Sequence, residues 1–580
     1  MVGFDEKGEL VSIDHAGEIR PARPRTSAQA TLPDGRVYEA PVGSRVREIL
    51  LAAYQAPAHS FMAAIVDGRL RELTYALEGD AAVTPLDATT ADGVRVYRRS
   101  LALLMLVAFD EALPGSEIFI EHSAATAAGY YCEARGRKQF SEEELRLVER
   151  RMRQIVAEDA PITRERVTRP EAIEVYESRG EEDKARLLAH RERDWLTLYR
   201  LHERRDYLQG YMVPSTGCLT HFSLHTLPTG FMLRFPHQRQ PDVMAPLTPY
   251  PKLFAVFEQA GDWLDRLGIR SAGALNDAIA RDRTSEVSLV AEALHESGIA
   301  RIASRIAETR GRIRVVFIAG PSSSGKTTFA KRLAVQLLAN GIRPMPLGLD
   351  DYFVDRDETP RDEKGEYDYE TIRALDLDLF GEHLRSLIDG RPTALPRYNF
   401  LTGCREAGPV VTLGGEHVII VEGIHGLNPV LAKGLPAESV FRVYVSALTQ
   451  LNLDRHNRVA TSDCRLIRRI VRDAATRGYS ASATLKRWDS VVRGEKEHIF
   501  RFQENADAIF NSALVHELAV LRPFAEPLLL QVRPESPEFV ESNRLLSFLT
   551  WFRSAQPEHV PDNSILREFI GGSIFTRLHL

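Results

Sequence analysis

Cysteine and long apolar runs are both scarce in this sequence of 580 residues. Its four cysteines are scattered, with no C-x-x-C pair and no metal-ligand spacing, which argues against a disulfide framework and favours a reducing compartment. The most apolar stretch, residues 101–109, is far shorter than the roughly 20 residues that a spanning helix needs. The N-terminus lacks the basic start and apolar run of a signal peptide. We therefore expect a cytoplasmic protein with no membrane partner.

An excess of basic charge is absent as well. The sequence has 80 acidic and 74 basic residues, which gives a net charge of −6. This balance argues against a chain that coats nucleic acid along its whole length. The hydrophobic content of 44% and charged content of 27% are typical of globular proteins, and the length predicts about three domains.

The pattern of apolar residues changes along the chain. Short strand patterns with Pro-Asp-Gly and Asp-Gly turns come first, a mixed region follows, and strands then alternate with helices, as in a parallel α/β sheet. The predicted units are an N-terminal extension (1–27), a small α+β domain (28–97), a second α+β domain (98–285), a helical connector (286–312), an α/β domain (313–530) and a C-terminal helical tail (531–580).

A phosphate-binding loop is the clearest local motif. The stretch "GPSSSGKT" fits G-x-x-x-x-G-K-[ST], with a buried strand pattern before it and a helix pattern after it. Glycines allow a tight turn whose N–H groups face phosphates, and the helix N-terminus adds positive charge. Lys326 is placed to reach the β- and γ-phosphates, and the Thr327 hydroxyl is placed for Mg²⁺. The predicted ATP-binding residues are Gly320, Pro321, Ser322, Ser323, Ser324, Gly325, Lys326, Thr327 and Thr328.

Acidic residues end two of the following strand patterns. Asp350 and Asp351 follow one strand, at the sheet edge where ligands bind in open α/β folds, and a carboxylate there can accept a proton from an attacking hydroxyl. A turn-capping pair is the equally weighted alternative. Glu422 ends another strand and is predicted to hold Mg²⁺ together with Thr327.

A basic stripe follows on a predicted helix. Four arginines recur at helical spacing in the stretch 462–478, "SDCRLIRRIVRDAATRG": Arg465, Arg468, Arg469 and Arg472. Two interpretations are open: a salt-bridged surface helix, or a closing lid that brings guanidinium groups onto a transferred phosphoryl group.

Together with "LGLDDYF", "YDYETIRALD", "LPRYNFLTGCR" and "VIIVEG", these motifs resemble the uridine kinase group of the phosphoribulokinase-like P-loop kinases. The resemblance implies that Asp350 is the base facing a sugar 5′-hydroxyl and that Asp368 binds the ribose. Tyr398 and Phe400 match residues around the nucleobase, and Arg405 matches a substrate-side arginine. The implied substrate-binding residues are Asp350, Asp351, Tyr352, Asp368, Tyr398, Phe400 and Arg405, and the implied lid arginines are Arg469, Arg472 and Arg477.

The sequence departs from that family at three points. Gly403 stands where a histidine commonly reads the pyrimidine, and Tyr479 replaces a further lid arginine. The segment "ALTQLNLDRHNRVAT" enlarges the connection before the arginine-rich helix. The preferred base therefore stays open, because a site built to hydrogen-bond one base edge discriminates strongly.

The N-terminal half resembles another family. Residues 28–97 resemble the ubiquitin-like TGS domain of threonyl-tRNA synthetases, and residues 98 to about 235 resemble their editing domain. The editing motifs align with "RRSLALL" and "DYLQGYMVP", where the functional positions hold Arg99, Leu103, Leu208 and Met212. These side chains lack the acid–base and metal-ligand capacity of histidine and cysteine, so we predict that this half does not deacylate tRNA.

The sequence thus predicts a multidomain protein: an α+β half, with a TGS unit and a degenerate editing-like domain, and then an α/β P-loop kinase with a parallel sheet. We expect it to be an enzyme, a uridine/cytidine kinase-like phosphotransferase that uses ATP and Mg²⁺ to phosphorylate a nucleoside 5′-hydroxyl. The alternatives are a kinase of the same fold with another small hydroxyl substrate, and an RNA-binding regulator that uses the loop as a nucleotide switch. The acidity and the missing editing residues count against RNA binding, and a homo-oligomer is left open.

Overall fold

The computed structural model describes residues 2–4, 10–12, 24–124, 129–247, 249–309, 311–362, 365–449 and 451–578. Most of the predicted N-terminal extension therefore lies outside the described residues. Two short strands from it pair antiparallel: β1 (Val2–Phe4) and β2 (Leu10–Ser12). None of the helices in the described ranges is long and apolar enough to cross a lipid bilayer.

The first domain is a small sheet with one helix. Its five strands lie in the order β4-β3-β7-β5-β6 and pack against α1, which buries Val46, Ile49 and Leu50. The elements are β3 (Ser27–Thr31), β4 (Val37–Pro41), α1 (Val46–Tyr54), β5 (Ala63–Val66), β6 (Arg69–Arg71) and β7 (Ala81–Leu86).

The second domain has two antiparallel sheets around a long buried helix. The apolar run at 101–109 lies in the helix α2, where Leu101 to Phe109 are all buried. One sheet has the order β13-β14-β9-β8 and the other the order β10-β11-β12. The elements are α2 (Ala91–Ala112), β8 (Ile118–Ala124), β9 (Gly129–Ala134), α3 (Glu142–Ala157), β10 (Thr163–Thr168), α4 (Arg169–Ser178), α5 (Glu182–Ala189), β11 (Trp195–Leu201), β12 (Arg204–Asp206), β13 (Ser223–Thr226) and β14 (Phe231–Arg234).

Three helices lead into the second half: α6 (Pro251–Leu267), α7 (Ala272–Ala280) and α8 (Thr284–Ala307). The predicted connector corresponds to α8, which buries Ile299, Ile302 and Ile306 in the same core as the following α/β domain. Arg332 of that domain donates to Glu292 at 2.9 Å and to Glu296 at 2.8 Å. The helix is therefore an integral layer of the α/β domain rather than a free linker.

A five-stranded parallel sheet forms the centre of the α/β domain, as predicted. Its order is β16-β19-β15-β20-β21, and every pair is parallel. The elements are β15 (Val315–Ala319), α9 (Lys326–Ala339), β16 (Arg343–Gly348), α10 (Leu377–Ile388), β17 (Thr393–Asn399), β18 (Cys404–Val411), β19 (His417–Glu422), β20 (Val440–Ser446), α11 (Thr461–Arg477), α12 (Ala481–His498), β21 (Ala508–Asn511) and α13 (Glu517–Leu530), and the tail adds α14 (Phe539–Leu549) and α15 (Arg567–Ile570).

The enlarged segment before α11 docks the α/β domain onto the N-terminal half. Asn452 donates to Ile120 O at 3.0 Å, and Ile120 N–H donates to Arg455 O at 2.8 Å. Asn457 donates to Tyr207 O at 3.0 Å and accepts from Gln209 N–H at 2.7 Å. We name residues 451–459 the docking segment, because its side chains satisfy backbone groups of the second domain.

A buried cluster of charges underlies the docking segment. Lys184 forms ion pairs with Asp206 and Glu181, and Arg204 donates to both carboxylates at 2.9 and 3.0 Å. Burial alone would raise the pKa of Asp206, but the charges of Lys184 and Arg204 outweigh it and hold that pKa well below the ordinary value. Burial lowers the pKa of His456 to about 4, so its imidazole is neutral at pH 7. Glu181, Asp206 and His456 lie close enough to share a metal ion, yet the two cations already compensate the carboxylates.

Replacing Lys184 with methionine should therefore destabilise the junction of the two halves. Buried Asp206 would lose its closest cation, and Glu181 would lose one of the cations around it. Removing one partner from a buried ion pair costs about 3–5 kcal/mol. Lys184→Met should lower the unfolding temperature by several degrees in a fluorimetric melt. Lys433→Met, at an exposed lysine, is the matched control, and equal melting of the two variants would contradict the assignment.

Candidate active site

The phosphate loop lies where the motif predicts. Strand β15 ends at Ala319, residues 320–325 form the turn, and α9 begins at Lys326. At Gly325 the backbone has φ +81°, in the left-handed region that glycine adopts without strain. Lys326 is buried, and its Nζ donates to Pro321 O at 3.2 Å. Its ammonium group is thus held against the loop that is predicted to receive phosphates.

A buried glutamate fixes the middle of the loop. Glu495, on α12, accepts from Ser322 N–H at 2.9 Å. The same carboxylate accepts two bonds from the Arg465 guanidinium, at 2.5 and 2.8 Å, and Arg465 also donates to Ser322 O at 3.1 Å. Such a bidentate pair has a defined orientation as well as strength, so α11 and α12 together set the position of the loop.

The next arginines of α11 continue along the loop. Arg468 is fully buried, forms an ion pair with Glu517 and donates to Ser512 O at 2.8 Å. Arg469 donates to Ser322 Oγ at 3.0 Å. The basic stripe is therefore neither a surface helix nor wholly a mobile lid, because Arg465 and Arg468 are part of the core.

The three predicted lid arginines share one carboxylate. Buried Asp473 lies 3.3 Å from Arg469 Nε, 2.9 Å from Arg472 Nη2 and 3.5 Å from Arg477 Nη1. One negative charge among three guanidinium groups leaves this cluster positive. The cluster contacts the phosphate loop through Arg469, which suits it to stabilise a transferred phosphoryl group.

Two acidic groups meet at the carboxyl edge of the sheet. Asp350 lies in the turn after β16, and Glu422 ends the neighbouring strand β19, where it is paired with Gly348. Thr327 Oγ1 donates to Glu422 Oε2 at 3.3 Å. A hydroxyl and a carboxylate oxygen at this separation are the oxygen ligands that Mg²⁺ prefers, so the residues present fit the predicted metal.

The cleft shifts the pKa values of these acids. Asp350 is open to solvent on one side, but the surrounding protein displaces much of its hydration and raises its pKa, against the charge of Lys326. Desolvation also raises the pKa of Glu422 to about 7, and repulsion from Asp350 adds to it. Desolvation and the charge of Glu495 raise the pKa of Glu370 to about 7. Clustered perturbed carboxyls in a cleft are typical of functional sites.

Aromatic side chains line the side of the cleft next to Asp351. The carboxylate of Asp351 accepts from Tyr398 N–H at 3.3 Å. The Tyr398 ring lies 5.6 Å from that of Phe353 and 5.1 Å from that of Phe400, with edge-to-face geometry. The Tyr369 ring lies 5.6 Å from that of Phe353. We call these four rings the aromatic cluster; Phe400 leaves 59% of its surface exposed and is available for stacking.

Other predicted substrate residues have structural partners. Tyr352 is buried in the core beneath the site, and its hydroxyl lies 3.2 Å from His383 Nδ1. Arg405 forms an ion pair with Asp376, the N-cap residue of α10, at 2.8 Å. Asp368 accepts from Glu370 N–H at 3.0 Å. The structure brings Tyr398 and Phe400 to one side of the cleft, Asp368 directly precedes Tyr369 of the same cluster, and Tyr352 lies buried beneath the site.

The backbone explains why Gly403 stands at the expected base-reading position. Residue 403 lies at the tip of the β17–β18 hairpin with φ +77°, and its N–H donates to Asn399 O at 2.7 Å. A Cβ atom there would lie 2.7 Å from the Arg356 guanidinium carbon. Arg356 also donates to Phe400 O at 2.8 Å. A histidine at 403 would need both a strained backbone and displacement of Arg356.

Sequence reasoning missed Glu495, Asp473, Arg356 and Glu370. Glu495 and Asp473 occupy positions in ordinary amphipathic helices, and no motif distinguishes them from surface acids. Their roles depend on partners brought close by folding. The sequence contains only a weak indication of Arg356: it lies shortly after Asp350, in a stretch rich in charged residues.

The side chains at the positions that align with the editing motifs all have partners within the protein. Leu103, Leu208 and Met212 are all buried in one core. Arg99 donates to Tyr211 O at 2.7 Å, and Ser100 donates to the Met212 sulfur at 3.5 Å. The two stretches thus face one another, and they present apolar or hydrogen-bonded groups.

Two family models match the chain. Residues 315–519 match the Phosphoribulokinase / Uridine kinase family, and residues 29–84 match the TGS domain. Both ranges fall within the predicted units of the same kind.

The similar curated proteins include threonine–tRNA ligases. The enzyme of Cupriavidus pinatubonensis is 34% identical over 195 residues, 33% of this chain and 30% of its own length. That of a Polaromonas species is 32% identical over 197 residues, 34% of this chain and 31% of its own. The chain therefore spans about a third of the length of these relatives.

Two solved kinase structures are also similar in part. A possible uridine kinase from Bacillus stearothermophilus is 27% identical and covers 23% of this chain and 70% of its own, with a TM-score of 0.20. D-glycerate 3-kinase from Cryptococcus neoformans is 16% identical over 36% of this chain and 90% of its own, with a TM-score of 0.25. The family models are the more specific finding: residues 315–519 match the phosphoribulokinase/uridine kinase family, after a range that matches the TGS domain and a region similar to threonine–tRNA ligases.

Proposed function

We propose that the C-terminal half transfers the γ-phosphoryl group of ATP to the 5′-hydroxyl of a nucleoside. The observation that carries this proposal is the position of Asp350 and Asp351 between two different surfaces. The positive charges of Lys326 and Arg477 act on the carboxylate of Asp350 and oppose the rise in its pKa. The carboxylate of Asp351 accepts a hydrogen bond from the backbone N–H of Tyr398, in the aromatic cluster. A phosphate-binding surface and a flat aromatic surface thus meet at one pair of carboxylates.

The donor side is built for a nucleoside triphosphate with Mg²⁺. Residues 320–328 supply the loop and the first turn of α9, and the helix N-terminus favours bound anions. Thr327 and Glu422 would hold the metal, which neutralises developing charge on the phosphate oxygens when it is bound. Lys326 and Arg469 add positive charge from the protein on the same side.

Asp350 is the proposed general base. A raised pKa brings a carboxyl closer to the working pH and makes it a better proton acceptor while it is still largely ionised. The remaining catalysis is positioning and charge stabilisation, which dominate phosphoryl transfer. Buried Glu495 and Asp473 contribute indirectly by orienting the loop and the arginines.

A nucleoside is the acceptor that the aromatic cluster favours over a simple sugar or other small hydroxyl compound. Every nucleobase has a flat face that stacks on aromatic rings. An acyclic hydroxy acid offers no such face and would leave Phe400 without a role. Which base is preferred depends on contacts near Arg356 and Gly403.

For the N-terminal half we propose an architectural role without tRNA deacylation. The filled editing site supports this proposal, since it offers no proton-transfer group or metal ligand among Arg99, Leu103, Leu208 and Met212. RNA binding is the competing hypothesis, and salt-dependent tRNA binding by the whole protein would favour it.

The test is a coupled ADP-release screen with the purified protein, ATP and Mg²⁺. The panel contains uridine, cytidine, adenosine and guanosine, together with glycerate, pantothenate and a sugar phosphate. Stimulation by a nucleoside supports the proposal. Stimulation only by another acceptor would assign a different substrate to the same site, and a flat response to the whole panel by protein that binds ATP would remove the kinase proposal.

Replacing Asp350 with asparagine should lower kcat with little change in ATP affinity. The amide cannot accept the hydroxyl proton, and general-base catalysis contributes about 10²–10⁴-fold. Steady-state kinetics and calorimetric ATP binding separate the two effects. Asp357→Asn, an exposed neighbour, is the control, and normal turnover by Asp350→Asn would exclude the base role.

Replacing Phe400 with alanine should raise KM for the nucleoside by about tenfold and leave KM for ATP unchanged. Stacking of one base on an aromatic side chain contributes about 1–3 kcal/mol, and about 1.4 kcal/mol corresponds to a factor of ten. Leu401→Ala removes a side chain that is 92% exposed on the same hairpin and serves as the control. An unchanged nucleoside KM in Phe400→Ala would place the base elsewhere.

A further inference from the structure

The end of the chain returns to the phosphate loop. Residues 557–578 run through two single 3₁₀ turns and the short helix α15. Ile565, Leu566 and Phe569 of this stretch are buried, and Arg567 ties it together by donating to Val560 O at 2.5 Å. We call residues 557–578 the strap.

The strap passes directly over the loop. A Cβ atom built on Gly325 would lie 2.4 Å from Ile565 Cγ2, so Ile565 lies closely against the last residue of the loop. Phe569 lies under the guanidinium group of Arg468, 5.1 Å from its central carbon. Further along, Lys331 of α9 donates to Phe575 O at 3.1 Å.

A carboxylate of the strap lies on the donors at the start of α9. Glu568 Oε2 accepts from Thr328 N–H at 3.2 Å and from Thr328 Oγ1 at 2.9 Å. The first N–H groups of this helix are among the donors that a phosphate-binding loop uses to cradle phosphates. Glu568 is thus an anion placed where a nucleotide's phosphate oxygens would be bound.

Two anions cannot share these donors. A phosphate group bound to Thr328 would occupy the same space as the Glu568 carboxylate. The two negative charges would also repel each other strongly, because the site is partly desolvated. Glu568 also adds to the negative charge that acts on Glu422. Thr328 lies in the first turn of α9, where N–H groups have no partner within the helix, so its N–H is a donor that either this carboxylate or a phosphate can take.

We propose that the strap is an autoinhibitory element, in which Glu568 occupies the phosphate donors of Thr328 and must leave before a nucleoside triphosphate binds. This inference rests on the proposed nucleotide site but not on the identity of the acceptor. A partner or modification that draws the strap away would raise nucleotide affinity without touching the loop.

Calorimetric binding of ATP with Mg²⁺, without any acceptor, tests the proposal on the full chain. Glu568→Ala should lower the Kd for ATP by about tenfold relative to the unchanged protein. Glu568→Gln keeps the shape but loses the charge, and should give a smaller decrease. Glu558→Ala, at an exposed acid of the same strap, should leave Kd unchanged. Hydrogen exchange of residues 557–578 should increase when ATP binds, because the strap loses its contact with Thr328.

An equal or weaker affinity in both Glu568 variants, with melting temperatures preserved, would overturn the proposal. Failure of every variant to bind ATP would overturn it together with the nucleotide site. Tighter binding by Glu568→Ala combined with no nucleoside phosphorylation would retain the strap and remove only the proposed acceptor.

Discussion

Two buried arginine–glutamate pairs hold the phosphate loop in place. Arg465 with Glu495 and Arg468 with Glu517 each join α11 to another helix and also contact loop backbone or the residues beside it. Removing one partner of such a pair leaves a buried charge without compensation, at a cost of about 3–5 kcal/mol. The core therefore sets the geometry of the loop, and Arg472 and Arg477 at the end of α11 are held by buried Asp473.

The same helix connects the two halves of the protein. Its first turn follows the docking segment, whose Asn452, Arg455 and Asn457 are bonded to the second domain. Asp463, in that first turn, is paired with Arg544 of the tail helix α14 at 2.7 Å. A short, hydrogen-bonded path therefore runs from the second domain to the arginines of α11.

The region similar to threonine–tRNA ligases is apolar at most of the positions that align with the editing motifs. Leucine and methionine at these positions pack into the core, and burying such side chains contributes about 1.5–3 kcal/mol each. Polar histidine and cysteine side chains at those positions would need hydrogen-bond or metal partners. The apolar replacements therefore favour a rigid support over an open pocket.

Local patterns in the sequence determined the phosphate loop, the parallel strands and the acids Asp350 and Glu422, because strand–loop–helix spacing places strand ends at one edge of a sheet. They could not distinguish a connector from a core layer, since the periodicity of α8 is the same in either case. Only the tertiary structure decided which arginines of α11 are buried, why residue 403 excludes a side chain and where the tail lies. Glu495 and Glu568 reach Ser322 and Thr328 from 173 and 240 residues away. Contacts over such separations depend on how whole helices pack, and no local pattern encodes them.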